Sequence, residues 1–218
     1  MSAMGTPATR GVKIRWARFY DVVTNLLLLG HEPVLRAMTL DLAGVQPGER
    51  VLEVGCGTGS LALAAARRVA ADGAASGTVC GIDPDPTMIG VARKKAAKAR
   101  LDVAFEVGLI EKLPYGAAEF DVVLSSLMLH HLPTDLQTLG LAEVRRVLKP
   151  GGRFLAVDFE TSGSPMAHSL MSHLVGHYRA HQAGLSHLQP TLAAAGFTEV
   201  RTGPTRMRLL AYLAGRAG

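Results

Sequence analysis

The chain has 218 residues, a hydrophobic fraction of 48% and a formal net charge of +5 at pH 7. This composition excludes a disordered chain and predicts one domain with a sizeable core. No apolar run approaches the roughly eighteen residues of a membrane-spanning helix, so no span is expected. Residues 1–11 lack the apolar stretch of a signal peptide and are expected to form a flexible tail.

Alternating apolar runs and turn residues predict a regular succession of helices and strands up to residue 160. Two N-terminal cap helices are expected over residues 12–43, broken near Gly30 and Pro33. Strands are expected at 50–54, 77–83, 101–108, 120–126 and 153–159, and helices at 60–71, 86–100 and 133–148. Strands that alternate with helices imply right-handed crossovers, and therefore a mostly parallel sheet covered on both faces.

The regular alternation of strands and helices ends after residue 160. A long helical stretch is expected over 165–183, followed by a shorter helix over 187–195 that ends at Gly196. Two final strands, 197–203 and 205–214, are expected to form a hairpin at the sheet edge. We predict that 160–190 is an insertion that covers a substrate, within a single domain spanning 1–218.

Three glycines at alternate positions separate the first strand from its helix, in the stretch VLEVGCGTGS. Glycine takes positive φ at no steric cost, which suits a tight turn from strand to helix. Its missing Cβ also lets a ligand lie against the backbone, where the helix start offers unpaired N–H groups. A turn without a ligand is the alternative, but one glycine would suffice for it. A ligand site is therefore expected above the carboxyl ends of the strands.

The glycine pattern is neither a dinucleotide fingerprint, because Ser60 stands where a glycine is expected, nor a phosphate loop. Glu53, Gly55, Gly57 and Gly59 instead resemble the first motif of class I S-adenosylmethionine-dependent methyltransferases, E/D-x-G-x-G-x-G. The stretches GIDPDPTMIGVARKKA, EVGLIEKLPYGAAEFDVVLSSLMLHHLP and RVLKPGGRFLAVDF are similar to later segments of that family. The nearest subgroup is the ubiquinone/menaquinone-biosynthesis C-methyltransferases. The resemblance covers roughly residues 45–160 and implies a doubly wound α/β, Rossmann-like sheet of seven strands with an antiparallel C-terminal strand.

The same resemblance implies S-adenosylmethionine as the cofactor and places its contacts at the carboxyl ends of the first strands. Gly55, Gly57 and Gly59 are expected at the methionine end. Glu53 is expected at the ammonium group, through water or backbone, and Asp83 at the ribose hydroxyls. The other expected cofactor-binding residues are Tyr20, Cys56, Pro84, Met88, Leu109, Ile110 and Ser125.

Two of these assignments have alternatives in the sequence itself. Asp83 is placed to accept hydrogen bonds from ribose, yet Asp83-Pro84-Asp85-Pro86 is also typical of a turn. Met88 is expected against adenine, with the helix core as the alternative. Leu109 stands where the family usually has an aspartate that accepts a hydrogen bond from adenine. Glu111 is an alternative acceptor, and otherwise adenine is held by packing and backbone contacts.

Candidate catalytic groups follow the fourth and fifth strands. His130, beside His131, is expected to act as a general base or to orient the acceptor, with a backbone-bonded loop histidine as the alternative. Asp158 is a second candidate base. No metal is expected, because the histidines at 173, 177 and 181 would span about 12 Å along a helix and cannot all reach one ion.

The sequence thus predicts methyl transfer from S-adenosylmethionine to oxygen, nitrogen or carbon of a small organic acceptor. Two other functions stay open: RNA methylation, favoured by three basic clusters, and ligand binding without catalysis, prompted by Leu109. The basic clusters fall beside predicted helices and are interpreted as solvated faces, which disfavours a nucleic-acid partner. Two isolated cysteines predict a reducing, cytoplasmic location.

Overall fold

The computed structural model describes residues 30–70, 77–160, 184–207 and 209–218. The expected N-terminal tail, Tyr20 and most of the expected N-terminal cap helices lie outside these ranges. The expected helix over 165–183, with its histidine stripe, lies outside them as well.

Seven strands form one sheet in the order β3-β2-β1-β4-β5-β7-β6. They are β1 (Arg50–Val54), β2 (Thr78–Asp83), β3 (Ala104–Val107), β4 (Phe120–Ser126), β5 (Leu148–Phe159), β6 (Phe197–Pro204) and β7 (Leu210–Ala217). β7 runs antiparallel to both β5 and β6, whereas the pairs among β1 to β5 are parallel. The predicted α/β sheet with an antiparallel C-terminal strand is confirmed.

Within the described ranges, five α-helices accompany the sheet: α1 (Glu32–Ala43), α2 (Ser60–Val69), α3 (Pro86–Ala99), α4 (Thr134–Val147) and α5 (Gln189–Ala194). Short 3₁₀ turns occupy Leu129–His131 and Leu185–Leu188. The helix starts follow local chemistry, since the Asp85 carboxylate accepts a hydrogen bond from the Thr87 N–H and Pro86 takes the first helical position. Gly44, in the left-handed conformation, ends α1.

Two apolar clusters cover the two faces of the sheet. Successive residues of β1 alternate between them, so that Val51 packs with α1, α2 and α3 while Leu52 packs with α4 and α5. The parallel strands β1 and β4 are neighbours at the centre of the sheet. From β1 the chain adds β2 and β3 on one side, and it then returns to add β4 on the other side of β1. This reversal leaves a crevice at the carboxyl ends of β1 and β4, where ligands bind in open α/β sheets.

The structure moves several element boundaries. β5 begins at Leu148 and not at the expected residue 153, because the stretch Pro150-Gly151-Gly152 is an irregularity inside the strand, with Gly151 at φ 75°. β3 begins only at Ala104, after Arg100 ends α3 in the left-handed conformation. The expected C-terminal hairpin forms, but β7 lies between β5 and β6, so that β6 is the edge strand.

Candidate active site

The glycine loop turns sharply because all three glycines adopt positive φ: 70° at Gly55, 51° at Gly57 and 77° at Gly59. A Cβ on Gly55 would lie 2.2 Å from Cγ of Met128, and one on Gly59 would lie 2.5 Å from the Phe105 ring. The loop is tied to β2 by the Cys56 N–H, which donates to the Ile82 carbonyl oxygen at 2.8 Å. Close packing therefore demands glycine at two of the three positions.

An open depression of about 460 Å³ lies above this loop. Its walls come from the end of β1, the start of α2, the end of β4 and the first turns of α1. The predicted residues Glu53, Gly55, Cys56 and Gly57 line it, together with Arg36 and Ser126, which the sequence analysis did not single out. The pocket thus occupies the crevice expected from the strand order.

Glu53 forms part of the pocket wall, yet only 3% of it is exposed. Its Oε2 accepts one hydrogen bond, from the Ala62 N–H at 2.7 Å. Burial raises the pKa of Glu53 to about 8, and the nearby Asp83 carboxyl adds to the rise, while the Ala62 N–H and the more distant Lys95 and Arg36 oppose it. At neutral pH this carboxyl is mostly protonated.

Asp83 connects the end of β2 to the glycine loop. Its Oδ2 accepts from the Gly57 N–H and its Oδ1 from the Asp85 N–H, each at 2.9 Å. Burial raises the pKa of this carboxyl, and the two N–H groups act in the opposite direction. Because a carboxylate oxygen accepts more than one hydrogen bond, both oxygens keep capacity for a ligand hydroxyl.

The residues expected around adenine do not line the depression. Met88 is 3% exposed in the first turn of α3, and Pro84 lies half-buried next to Asp83. Ile110 packs in the core below α4, where a Cβ on Gly140 would meet its side chain at 3.0 Å. Leu109 is half-buried and forms an isolated bridge with Lys112.

Neighbouring serines at the end of β4 have different surroundings. Ser125 is 1% exposed, and within the described ranges its hydroxyl oxygen has no hydrogen-bond partner. Ser126 lines the depression, since successive strand residues point to opposite faces. The alternation of residues along β4 therefore favours Ser126 as the serine that faces the pocket, instead of the expected Ser125.

Three further features escaped the sequence analysis. Arg36 and Glu32 form an ion pair one helical turn apart at the rim, a spacing that is visible in the sequence. Lys95 of α3 donates to the hydroxyl of Ser60 at 2.6 Å, beside the loop. Leu127 lines the depression with φ 54°, a conformation that is costly for a bulky residue and that clusters at functional sites.

A histidine and an aspartate meet beyond the end of β4. Nδ1 of His130 lies 2.6 Å from Oδ1 of Asp158, and the His130 backbone N–H donates to Oδ2 at 3.2 Å. The Phe159 N–H also donates to Oδ1, at 2.8 Å. Burial by itself raises the pKa of Asp158, but the charge and hydrogen bonds of His130 and the Phe159 N–H outweigh it and lower the pKa. Asp158 is 2% exposed, and both its oxygens are engaged.

Within the described ranges, no group of three or more His, Cys, Asp or Glu side chains is arranged to hold a metal ion. Among the helices that the structure describes, none is long and apolar enough to cross a bilayer. Cys56 and Cys80 are both buried and form no disulfide.

Comparison with known proteins agrees with this geometry. Residues 51–152 match the family model described as a methyltransferase domain. A ubiquinone/menaquinone biosynthesis C-methyltransferase of Bordetella avium is 36% identical over 148 residues, covering 68% of this chain and 56% of that protein. An uncharacterized methyltransferase of Synechocystis is 32% identical over 188 residues, covering 84% of this chain and 83% of that protein. The chain thus spans only about half the length of the first of these relatives.

A solved structure shares the same fold. The S-adenosylmethionine-dependent methyltransferase of Aquifex aeolicus superposes with a TM-score of 0.69 at 20% sequence identity, covering 94% of this chain and all of that one. At this level of identity the match supports the fold alone.

Proposed function

Because the chain belongs to the class I S-adenosylmethionine-dependent methyltransferases, we propose that it methylates the ring of a small phenolic acceptor of the quinol type. When bound, S-adenosylmethionine supplies a methyl group that is already activated on a positively charged sulfur. The observation that carries the proposal is the position of the His130–Asp158 pair just beyond the end of β4, whose last residue, Ser126, lines the glycine-loop pocket.

The pocket residues fit the cofactor. A loop that leaves no room for a Cβ at Gly55 or Gly59, an N–H-rich helix start, the buried carboxyl of Glu53 and the half-buried carboxyl of Asp83 suit a ligand with an amino-acid end and a ribose. We propose that Asp83 holds the ribose hydroxyls, Glu53 the ammonium group and Arg36 the carboxylate. Of the residues expected around adenine, we retain Pro84, Met88 and Leu109, with Ile110 contributing backbone contacts.

We propose that His130 is the base and Asp158 the residue that orients it. The two Asp158 oxygens already accept three N–H groups, so this carboxylate is not placed to take a proton from an acceptor. A buried carboxylate on Nδ1 fixes the ring and stabilises its charged form, as in hydrolase triads. Nε2 of His130 then takes the proton of an acceptor hydroxyl, which increases electron density on the ring carbon that receives the methyl group. That carbon afterwards loses its own hydrogen as a proton to solvent, and the proton held by His130 returns to the ring oxygen.

The quinol class rests on similarity to proteins named as quinone-biosynthesis methyltransferases, together with the histidine base. Little further chemistry is needed, since holding donor and acceptor in line supplies roughly 7–11 kcal/mol of barrier lowering. We propose that acceptor selection lies in residues 12–30 and 160–190, mostly outside the described ranges. The two buried free thiols support a reducing, cytoplasmic location.

A labelled methyl donor tests the proposal. Calorimetry first measures binding of S-adenosylmethionine and of S-adenosylhomocysteine. The enzyme is then incubated with methyl-deuterated S-adenosylmethionine and, in parallel, a naphthohydroquinone, a catechol and a primary amine. Mass spectrometry is expected to find a label on the naphthohydroquinone ring. Cofactor binding with transfer only to the amine would overturn the acceptor class, and absence of cofactor binding would overturn the function.

A further inference from the structure

Ionisation of Glu53 costs free energy, because its carboxyl is buried. It lies near the end of the central strand β1, between Gly81 of β2 and Leu124 of β4. It is almost fully buried, yet it belongs to the wall of the open pocket. A charge at this position loses most of its hydration without leaving the reach of a ligand in the pocket.

The protein does little to stabilise a charge on Glu53. Oε2 accepts the single hydrogen bond from the Ala62 N–H, and among the described residues no donor reaches Oε1. Carboxylates that stay ionised when buried accept two or three such bonds, as Asp158 does. One bond does not offset the loss of water.

The charged groups around Glu53 are directed to other partners. Arg36 of α1 pairs with Glu32, and Lys95 of α3 donates to the hydroxyls of Thr58 and Ser60. Asp83 of β2 adds a second carboxyl nearby, and the Cys56 thiol of the loop is neutral because burial raises its pKa. In the part of the chain that the structure describes, no salt bridge reaches Glu53. Among the described residues, Arg36 lies in the same pocket but is paired with Glu32, so no cation is paired with the Glu53 carboxyl.

We propose that Glu53 is a protonated carboxylic acid in the empty enzyme and becomes the carboxylate partner of the cofactor's ammonium group, so that cofactor binding releases a proton to solvent. The step balances: the O–H bond of Glu53 breaks, its proton passes to buffer, and the ammonium group keeps its own protons. The inference rests on the proposed function, since it requires the cofactor's amino-acid end to lie at Glu53. Burial, which raises the pKa of Glu53 to about 8, supports it.

The sign of the pH dependence follows from linkage. Because binding releases a proton, affinity for the cofactor rises with pH while the empty enzyme holds that proton, by up to tenfold per pH unit below about pH 8. Above about pH 8 the empty enzyme has itself lost the proton of Glu53, so the rise ends there. Cofactor affinity is therefore expected to be greatest near pH 8 and to fall steeply toward pH 6.

Calorimetry with S-adenosylhomocysteine, which carries the same ammonium group, tests the proposal. Titrations at pH 7 in phosphate and in Tris, whose ionisation enthalpies differ, are expected to show release of between half and one proton per site. 5′-Methylthioadenosine lacks the amino-acid end and is the matched ligand: it is expected to bind without proton release.

Glu53→Gln keeps an acceptor for the Ala62 N–H but cannot ionise. It is expected to bind S-adenosylhomocysteine more weakly, without proton release, and to bind 5′-methylthioadenosine as the wild type does, which shows that the variant is folded. Wild-type binding of S-adenosylhomocysteine without a buffer dependence would overturn the inference and leave the proposed function standing. Proton release that persists in Glu53→Gln would also overturn it. Failure of wild type to bind either ligand would instead overturn the proposed function.

Discussion

Two carboxyl groups at the carboxyl ends of the strands, Glu53 on β1 and Asp158 on β5, are equally buried, yet their pKa values are shifted in opposite directions. The exposed fractions are 3% and 2%, so burial costs each carboxylate about the same. Glu53 receives one backbone N–H, whereas Asp158 receives two backbone N–H groups and a histidine ring. The pKa of Glu53 is raised and that of Asp158 is lowered. Hydrogen-bond partners, not depth, decide the charge of a buried carboxyl.

The difference separates the site into two sides. The proposed donor side, formed by β1, β2 and the glycine loop, has the Glu53 carboxyl, whose pKa is raised by burial. The proposed acceptor side, formed by β4, β5 and the turn with His130, has the Asp158 carboxylate, which is paired with the His130 ring. In many active sites the surroundings of two titratable groups shift their pKa values in opposite directions, and the two groups then have different roles.

Removing the Asp158 carboxylate is expected to have the largest effect on stability. Asp158→Ala leaves the His130 ring and two backbone N–H groups buried without their acceptor, which costs roughly 3–5 kcal/mol in the free energy of unfolding. Urea denaturation at pH 7 measures this cost. Asp158→Asn, which retains an acceptor oxygen, is expected to lose less. A cost below about 1 kcal/mol for alanine would show that the pair contributes little to stability.

Removing the proposed base is expected to lower the methyl-transfer rate without changing the affinity for the cofactor. His130→Ala should lower the methyl-transfer rate by about 10²–10⁴, the usual contribution of a general base. Its affinity for S-adenosylhomocysteine, measured by calorimetry, should stay within about twofold, since the donor side is untouched. His131→Ala is the matched control and should retain most of the activity. An equal loss in both variants would remove the special role of His130.

Stability is expected to respond to pH in opposite directions through the two carboxyls. Glu53 has a raised native pKa, so its contribution is present below the unfolded value of 4.5 and is lost as pH rises toward 8. Asp158 has a lowered native pKa, so its contribution is present above 3.8 and is lost on acidification.

The free energy of unfolding, measured in urea without cofactor, reports this contrast. From pH 5 to pH 8, Glu53→Gln should gain roughly 1–3 kcal/mol relative to the wild type, because the amide never has to ionise. A constant difference between the two proteins across that range would contradict the raised pKa of Glu53.

The ribose assignment of Asp83 predicts a smaller effect, confined to the donor side. Asp83→Ala should weaken S-adenosylhomocysteine binding at least tenfold, about 1.4 kcal/mol, without unfolding the protein. Asp85→Ala removes only the cap on the Thr87 N–H and should lose stability more than affinity. Unchanged affinity in folded Asp83→Ala would remove the ribose assignment and leave Asp83 as a link between β2 and the loop.

A substitution at Leu109 is expected to change the affinity for S-adenosylhomocysteine least, and to increase it. Leu109→Asp supplies an acceptor for the adenine amino group, and one hydrogen bond contributes about 1 kcal/mol, or a few-fold in affinity. Calorimetry with S-adenosylhomocysteine measures it, with Leu109→Ala as the variant that removes the apolar side chain without adding an acceptor. Weaker binding by Leu109→Asp would mean that adenine lies elsewhere.

The sequence by itself determined the glycine loop and its place between β1 and α2, because these features are local. A strand, a tight glycine turn and a helix follow within twenty residues, and β2 ends at Asp83 by the same alternation of apolar residues. Positive φ at all three loop glycines is what an abrupt strand-to-helix turn requires. The parallel sheet likewise follows from the succession of strands and helices.

Only the tertiary structure decided the contact between His130 and Asp158 and the surroundings of the Glu53 carboxyl. His130 and Asp158 are 28 residues apart and meet because β4 and β5 are neighbours in register, from Val122↔Arg153 to Ser126↔Val157. Arg36 reaches the pocket because α1 packs across the sheet, and β7 enters between β5 and β6. The charge of Glu53 depends on how many donors surround it in space. Such long-range pairings and desolvation leave no periodic signal in the chain, so they appear only once the sheet is assembled.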